Sequence, residues 1–175
     1  MREMHGIQLV TAALVIILSA IFVGGGCAAP KGEEFAIYLT RDEVPVTSMP
    51  VLSHVDIADQ PVISINDIIA YHEITHELTL TAEAYERIRK LDVPVHGRSF
   101  VVCVNRGPVY WGAFWTPISS VPFNGITIMK PLRADHEGNT IKLDLGYPSP
   151  KFFEGEDLRS SSIVMQSLKQ AGKLK

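Results

Sequence analysis

The run His72-Glu73-Ile74-Thr75-His76-Glu77-Leu78-Thr79-Leu80-Thr81 sits where two periodicities collide, and which of them prevails decides the fold. Upstream, Ser64 with Asp67 three places on has the form of a capping box, and Ile65, Ile68, Ile69 and His72 share one helical face. From Ile74 the repeat changes. Ile74, His76, Leu78 and Leu80 alternate with Thr75, Glu77, Thr79 and Thr81, the two-residue period of a half-buried strand. The alternation predicts a strand over 74–80, because Thr81 already stands where a cap for the next helix is needed. That helix, Ala82 to Leu91, carries acids early, bases late, and Ala84, Ile88 and Leu91 on one stripe.

Working outward, Phe35 to Leu39 is an apolar, aromatic, β-branched run that reads as the first strand. A connection punctuated by Pro45, Pro50 and Pro61 separates it from the Ser64 cap. Ser99 to Val104 and Val109 to Phe114 form a hairpin across Asn105-Arg106-Gly107-Pro108. Gly107 is expected to take the permissive turn position, and Pro108 to open the second strand without needing a donor. Asn124-Gly125 introduces a strand from Ile126 to Met129, and Ile141 to Leu145 is one more. Glu156-Asp157 then opens a helix that closes near Gly172. Strands with helices between and after them predict a single small α+β domain over 34–175, a mostly antiparallel sheet with two to three helices packed on one face. Trp111 and Trp115 alternate onto the same side of their strand and read as packing aromatics. Cys103, inside Phe100-Val101-Val102-Cys103-Val104, reads as a small core hydrophobe.

Charge excludes one class of partner. The chain has 175 residues, 16 Lys+Arg against 19 Asp+Glu, and Arg2 and Glu3 cancel before position 26, so the rest keeps the formal net charge of −3. A nucleic-acid grip needs a basic surface, and none is expected here. Ile7 to Val23 is apolar at fourteen of seventeen positions and uncharged, and Val23-Gly24-Gly25-Gly26-Cys27 follows it. This arrangement resembles the lipobox of bacterial lipoproteins. The resemblance implies a signal peptide over 1–26, diacylglycerol on Cys27, a tether over 27–33 and a domain held at the cell envelope outside the cytoplasm. An uncleaved transmembrane anchor is the competing reading of the same segment. Once Cys27 is lipidated, Cys103 has no second thiol with which to pair.

A second likeness lies within the domain. Ile63-Ser64-Ile65-Asn66-Asp67-Ile68, then Leu78-Thr79-Leu80-Thr81 leading into the Glu83-to-Leu91 helix, then Gly97-Arg98-Ser99-Phe100-Val101-Val102-Cys103-Val104 and its hairpin, are similar in pattern to the periplasmic head region of the protein-export subunit SecD. The likeness spans residues 63–130. The multi-pass membrane portion of that family has no counterpart in these residues, so the resemblance implies a non-catalytic extracytoplasmic module that touches polypeptide or a neighbouring envelope protein.

One motif could carry chemistry. His72-Glu73-Ile74-Thr75-His76 matches H-E-x-x-H, in which two imidazoles one helical turn apart hold zinc and the glutamate activates the bound water. On a helix the two Cβ atoms lie roughly 6 Å apart and both rings can reach one metal. On a strand they lie roughly 13 Å apart and cannot. The longer zincin pattern is broken by Thr79 and Ala82, which leaves His96, Glu86 or His136 to supply a third ligand. The sequence therefore favours a membrane-anchored binding or scaffolding lipoprotein with no cofactor. The alternative is a zinc hydrolase with His72 and His76 as ligands and Glu73 as general base.

Overall fold

The computed structural model describes residues 34–132 and 138–175. The expected signal peptide, Cys27, the tether to residue 33, and His136 lie outside the described residues. Eight strands, β1 (Phe35–Leu39), β2 (Ile63–Ser64), β3 (Ile68–His72), β4 (Glu77–Leu80), β5 (Arg98–Val104), β6 (Gly107–Trp115), β7 (Phe123–Met129) and β8 (Thr140–Tyr147), join in one sheet of order β2-β1-β5-β6-β7-β8-β4-β3. Two helices accompany it, α1 (Ala82–Lys90) and α2 (Ser162–Gln170). All neighbours pair antiparallel except β6 and β7. The α+β reading with a mostly antiparallel sheet therefore holds, with two α-helices among the described residues where two to three were expected.

Alternation along the strands places one core on one side of the sheet. Phe35 and Ile37, Phe100 and Val102, Ile126 and Ile128, Ile141 and Leu143, and Leu78 and Leu80 meet there, and Ala84, Tyr85 and Ile88 of α1 and Val164 and Leu168 of α2 close the same cluster. Each such side chain contributes about 1.5–3 kcal/mol by leaving water. The other face of β1 and β5, with Ala36, Tyr38, Val101 and Cys103, is covered by Met49, Leu52, Val55 and Ile57 of the Pro-punctuated connection. Cys103 is the buried hydrophobe expected, and burial pushes its thiol up to about 11.

The helix expected from Ser64 through His72 does not form. The capping box is real, since the Ser64 N–H and hydroxyl donate to Asp67 Oδ2 at 2.7 and 2.8 Å, but it caps a single 3-10 turn, Ile65–Asp67. The chain then extends into β3, because pairing with β4 buries Ile68, Ala70 and Tyr71, with a register shift that leaves Ile69 outside. Burying three residues against the sheet outweighs a stripe that a lone amphipathic turn could not bury. Downstream, Thr81 caps α1 as expected by accepting from the Ala84 N–H.

Three further expectations are corrected by tertiary contacts. In the β5–β6 hairpin, Val104 pairs with Gly107, so Asn105 (φ 52°) and Arg106 (φ 63°) are the two left-handed turn residues, and Gly107 is already in the strand. Asn105 accepts from the Glu34 N–H, and Arg106 lies over the Tyr38 ring and donates to the Asp59 carbonyl, which offsets the strain of a left-handed arginine. β7 begins at Phe123, so Asn124-Gly125 lies inside the strand and does not introduce it, and the strand runs parallel to β6 after the Thr116 to Pro122 connection. Finally, Glu156-Asp157 does not open α2. Asp157 is held by Arg159, and the helix starts after Ser161. Its end is as expected, with Gly172 at φ 70° and the Lys173 N–H reaching back to the Leu168 carbonyl.

Candidate functional site

The H-E-x-x-H residues form the tip of the β3–β4 hairpin. His72 ends β3 and pairs with Glu77, and Glu73 to His76 make the turn, closed by the His76 N–H donating to the His72 carbonyl at 2.8 Å. His76 takes φ 56°, a left-handed conformation that no helix interior contains. The continuous helix that the zinc reading requires is absent, because β4 is paired on both sides, to β3 and to β8, and its alternation is used in the sheet. His72 and Glu73 are exposed, as is His96, while Glu86 is paired with Arg89 on α1. Among the described residues no group of three or more His, Cys, Asp and Glu side chains is placed to hold a metal. Protein purified without chelator is expected to carry no stoichiometric zinc by elemental mass spectrometry, with or without His72→Ala.

His76 faces inward instead. Its Nδ1 lies 2.9 Å from the Tyr71 hydroxyl, which also donates to the Arg159 carbonyl at 3.2 Å. Arg159 is nearly buried and clamps Asp157 through two bonds of 2.8 and 2.9 Å, while its third nitrogen donates to the Leu143 carbonyl at 2.7 Å. The clamp holds the Asp157 carboxyl below its ordinary range, and burial pushes the Tyr71 phenol well up. The Tyr110 hydroxyl lies in the same interior without a hydrogen-bond partner among the described residues. This cluster ties Asp157 and Arg159 to Tyr71 of β3 and Leu143 of β8. Arg159→Met is expected to cost about 2 kcal/mol in urea unfolding. That is below the roughly 3–5 for breaking a fully buried pair, because Asp157 keeps partial access to water. Asp157→Asn in the same chain should return part of the loss.

Burial first, and then the Arg159 guanidinium, lower the pKa of His76. The folded state therefore disfavours protonation relative to the unfolded chain. The contribution is complete above an ordinary histidine pKa of about 6.5 and is lost as pH falls from there through the folded value. Tm is expected to drop between pH 7.5 and 5. His76→Asn, which tolerates the same left-handed turn, should flatten that slope in the same buffers.

An open concave surface lies elsewhere. A groove of about 540 Å³ is lined by Tyr110 and Trp111 of β6, by Met49 to Leu52, by Asn124 to Ile126, and by Phe153, Glu154, Glu156 and Leu158. A second hollow of about 530 Å³ shares Met49, Trp111, Asn124 and Glu154 with it. Val51 and Phe152 stand 67% and 45% exposed at these walls. Aromatic contacts join Trp111 and Phe123 of these linings to the buried Trp115 and to Tyr147. Trp115 lies on Phe123 at 5.1 Å and 12°, Phe123 meets Trp111 at 5.8 Å, and Tyr147 packs on Trp115 at 5.9 Å. Glu154 and Glu156 supply all the charge in these linings, and Glu154 accepts from the Asn124 amide at 2.8 Å.

A scan of protein-family models, a search of curated proteins and a search of solved structures each find no match to this chain. Its own geometry therefore carries the functional reading. The structure separates the sequence-expected site residues. His76 joins Tyr71 and Arg159 inside, whereas His72, Glu73 and His96 are exposed apart from that cluster. The groove residues had weak signals. Trp111 shares an alternation with Trp115 that reads as packing, Glu154 lies in no pattern that marks it, and Glu156 reads as the opening of a helix.

Proposed function

We propose that this chain is a lipid-anchored extracytoplasmic lipoprotein whose α+β domain binds another molecule without transforming it. The observation that carries the anchoring is the succession of the uncharged apolar segment Ile7 to Val23 and Val23-Gly24-Gly25-Gly26-Cys27. Three glycines leave the backbone open to a peptidase, and a thiol stands at the position that is acylated in lipoproteins. Several acyl chains, at about 0.8 kcal/mol per buried methylene, would hold such a protein on a membrane essentially permanently. The binding part is supported by the open groove, whose lining combines aromatic and aliphatic side chains with Glu154 and Glu156. The polar cluster around Arg159 serves to fasten the fold.

The test is the mass of the N-terminal peptide after expression of the full chain in a bacterium. The expected product begins at Cys27 and carries a diacylglyceryl group, and Cys27→Ser should leave residues 1–26 attached. A wild-type chain retaining residues 1–26 with an unmodified thiol would replace lipidation by a transmembrane anchor.

A further inference from the structure

We propose that the open edge of β6, Gly107–Trp111, docks an extended segment of another polypeptide that carries apolar side chains beside lysine or arginine. This rests on the binding-module reading above and names the partner of that groove. The first observation is backbone pairing. β5 accompanies β6 from Gly107 to Phe114, but β7 joins on the other side only at Gly112 and follows to Trp115. Among the described residues, Gly107–Trp111 has a strand neighbour on one side alone. A strand directs alternate N–H and C=O groups to its two sides, so this stretch offers unpaired donors and acceptors to a new strand.

The contrast with the other edges gives this weight. β3 ends the sheet on one side, and the C-terminal residues cover it. The Tyr71 N–H donates to the Lys173 carbonyl at 2.7 Å, and the Lys175 N–H to the Tyr71 carbonyl at 2.8 Å. β2 ends the other side and is two residues long, one of the ordinary ways of blunting an edge. The notch at β6 has neither protection. Instead its Tyr110–Trp111 end opens on the groove, whose volume of about 540 Å³ leaves room for side chains of an incoming strand and whose lining is mainly apolar. Pro108 contributes no donor, so Val109 to Trp111 is the pairing segment, enough for a short added strand.

The second observation is electrical. Glu154 and Glu156 are exposed, and among the described residues no lysine or arginine lines the groove, so the charge of its described lining is wholly negative. A neutral apolar segment would leave those carboxylates unanswered, an acidic one would be repelled, and a basic one is steered in and held. Apolar side chains facing Trp111 and Phe153, alternating with cations toward the rim, satisfy both features through the two-residue period of a strand.

The test uses the full chain in mild detergent and three fluorescein-labelled probes. These are the peptide Val-Lys-Val-Arg-Val-Lys-Val, its counterpart with glutamate at each basic position, and a basic version with proline at alternate valines to remove donors. Fluorescence anisotropy is expected to show saturable binding of the first and at least tenfold weaker binding of the other two. Hydrogen exchange should slow at Val109 to Trp111 when the first peptide is bound. Glu154→Lys with Glu156→Lys, both exposed and outside the core, should weaken the basic peptide tenfold or more. Binding that the double variant leaves unchanged, or protection confined to other segments, overturns the docking site while leaving a binding module in place. Absence of saturable binding by all three probes also overturns it. Dimers of the chain that protect the same edge without peptide would replace the proposed occupant by a second copy. The N-terminal mass of the same preparation reports Cys27, so failure of the edge and failure of the anchor are read separately.

Discussion

Trp115→Ala is expected to destabilise the domain by about 3–5 kcal/mol, the range for emptying a buried aromatic site. Trp115 is 1% exposed, stacked on Phe123 and flanked by Tyr147, so truncation leaves a cavity that its rigid neighbours cannot fill. One effect reduces the loss. The indole Nε1 is buried without an acceptor among the described residues, and removing an unsatisfied donor returns part of its desolvation cost of about 1–3 kcal/mol. The lower half of the range is therefore expected in urea unfolding, with a fall in Tm of roughly 10 °C. The same substitution should loosen Phe123 and, through it, Trp111, so near-ultraviolet circular dichroism should weaken before the unfolding transition. A loss under about 1 kcal/mol would mean that the aromatic stack is not part of the cooperative core.

Gly97→Ala should cost about 3 kcal/mol, from two causes that can be separated. Gly97 has φ 84°, where an L side chain is strained by roughly 1–2 kcal/mol. A Cβ there would also overlap Cζ3 and Cε3 of Trp115 and come within 3.2 Å of the Phe114 carbonyl, an overpacking cost of about 1–3 kcal/mol. The ring cannot swing aside, because Phe123 and Tyr147 hold its other surfaces. Combining the two substitutions removes the overlap and keeps the strain. In the Trp115→Ala background the cost of Gly97→Ala should fall to about 1 kcal/mol, a coupling of roughly 2 kcal/mol. Strict additivity would show that backbone conformation alone explains the glycine.

Wherever local pattern and burial agreed, the sequence was legible. Thr81 and the stripe of Ala84 and Ile88 define α1, and the apolar runs Phe35 to Leu39 and Phe100 to Val104 define strands whose inner members meet in one core, while the alternation expected over 74–80 forms a strand only from Glu77 to Leu80 because 73–76 make the turn. Gly172 ends α2 where expected. Legibility failed where a local signal was genuine but short of partners. The Ser64–Asp67 box makes both its hydrogen bonds, yet one turn is all it stabilises, since the pairing of β3 with β4 offers Ile68 and Tyr71 more burial than a helix could.

The candidate site was less legible than the fold, because its parts come from distant positions with unremarkable local roles. Glu154, Trp111 and Val51 share no spacing that marks a groove, and the vacant flank of β6 exists only because β7 joins at Gly112 and diverges below it. Apolar runs, periodicity and capping, which act over a few residues, were enough to establish a mainly antiparallel sheet with α1 packed against it, and Cys103 as a core residue. The turn at Glu73 to His76, the parallel entry of β7 and the open edge at Gly107–Trp111 were settled by tertiary structure. Each depends on which strand lies alongside, a contact between residues far apart in the chain that no local pattern encodes.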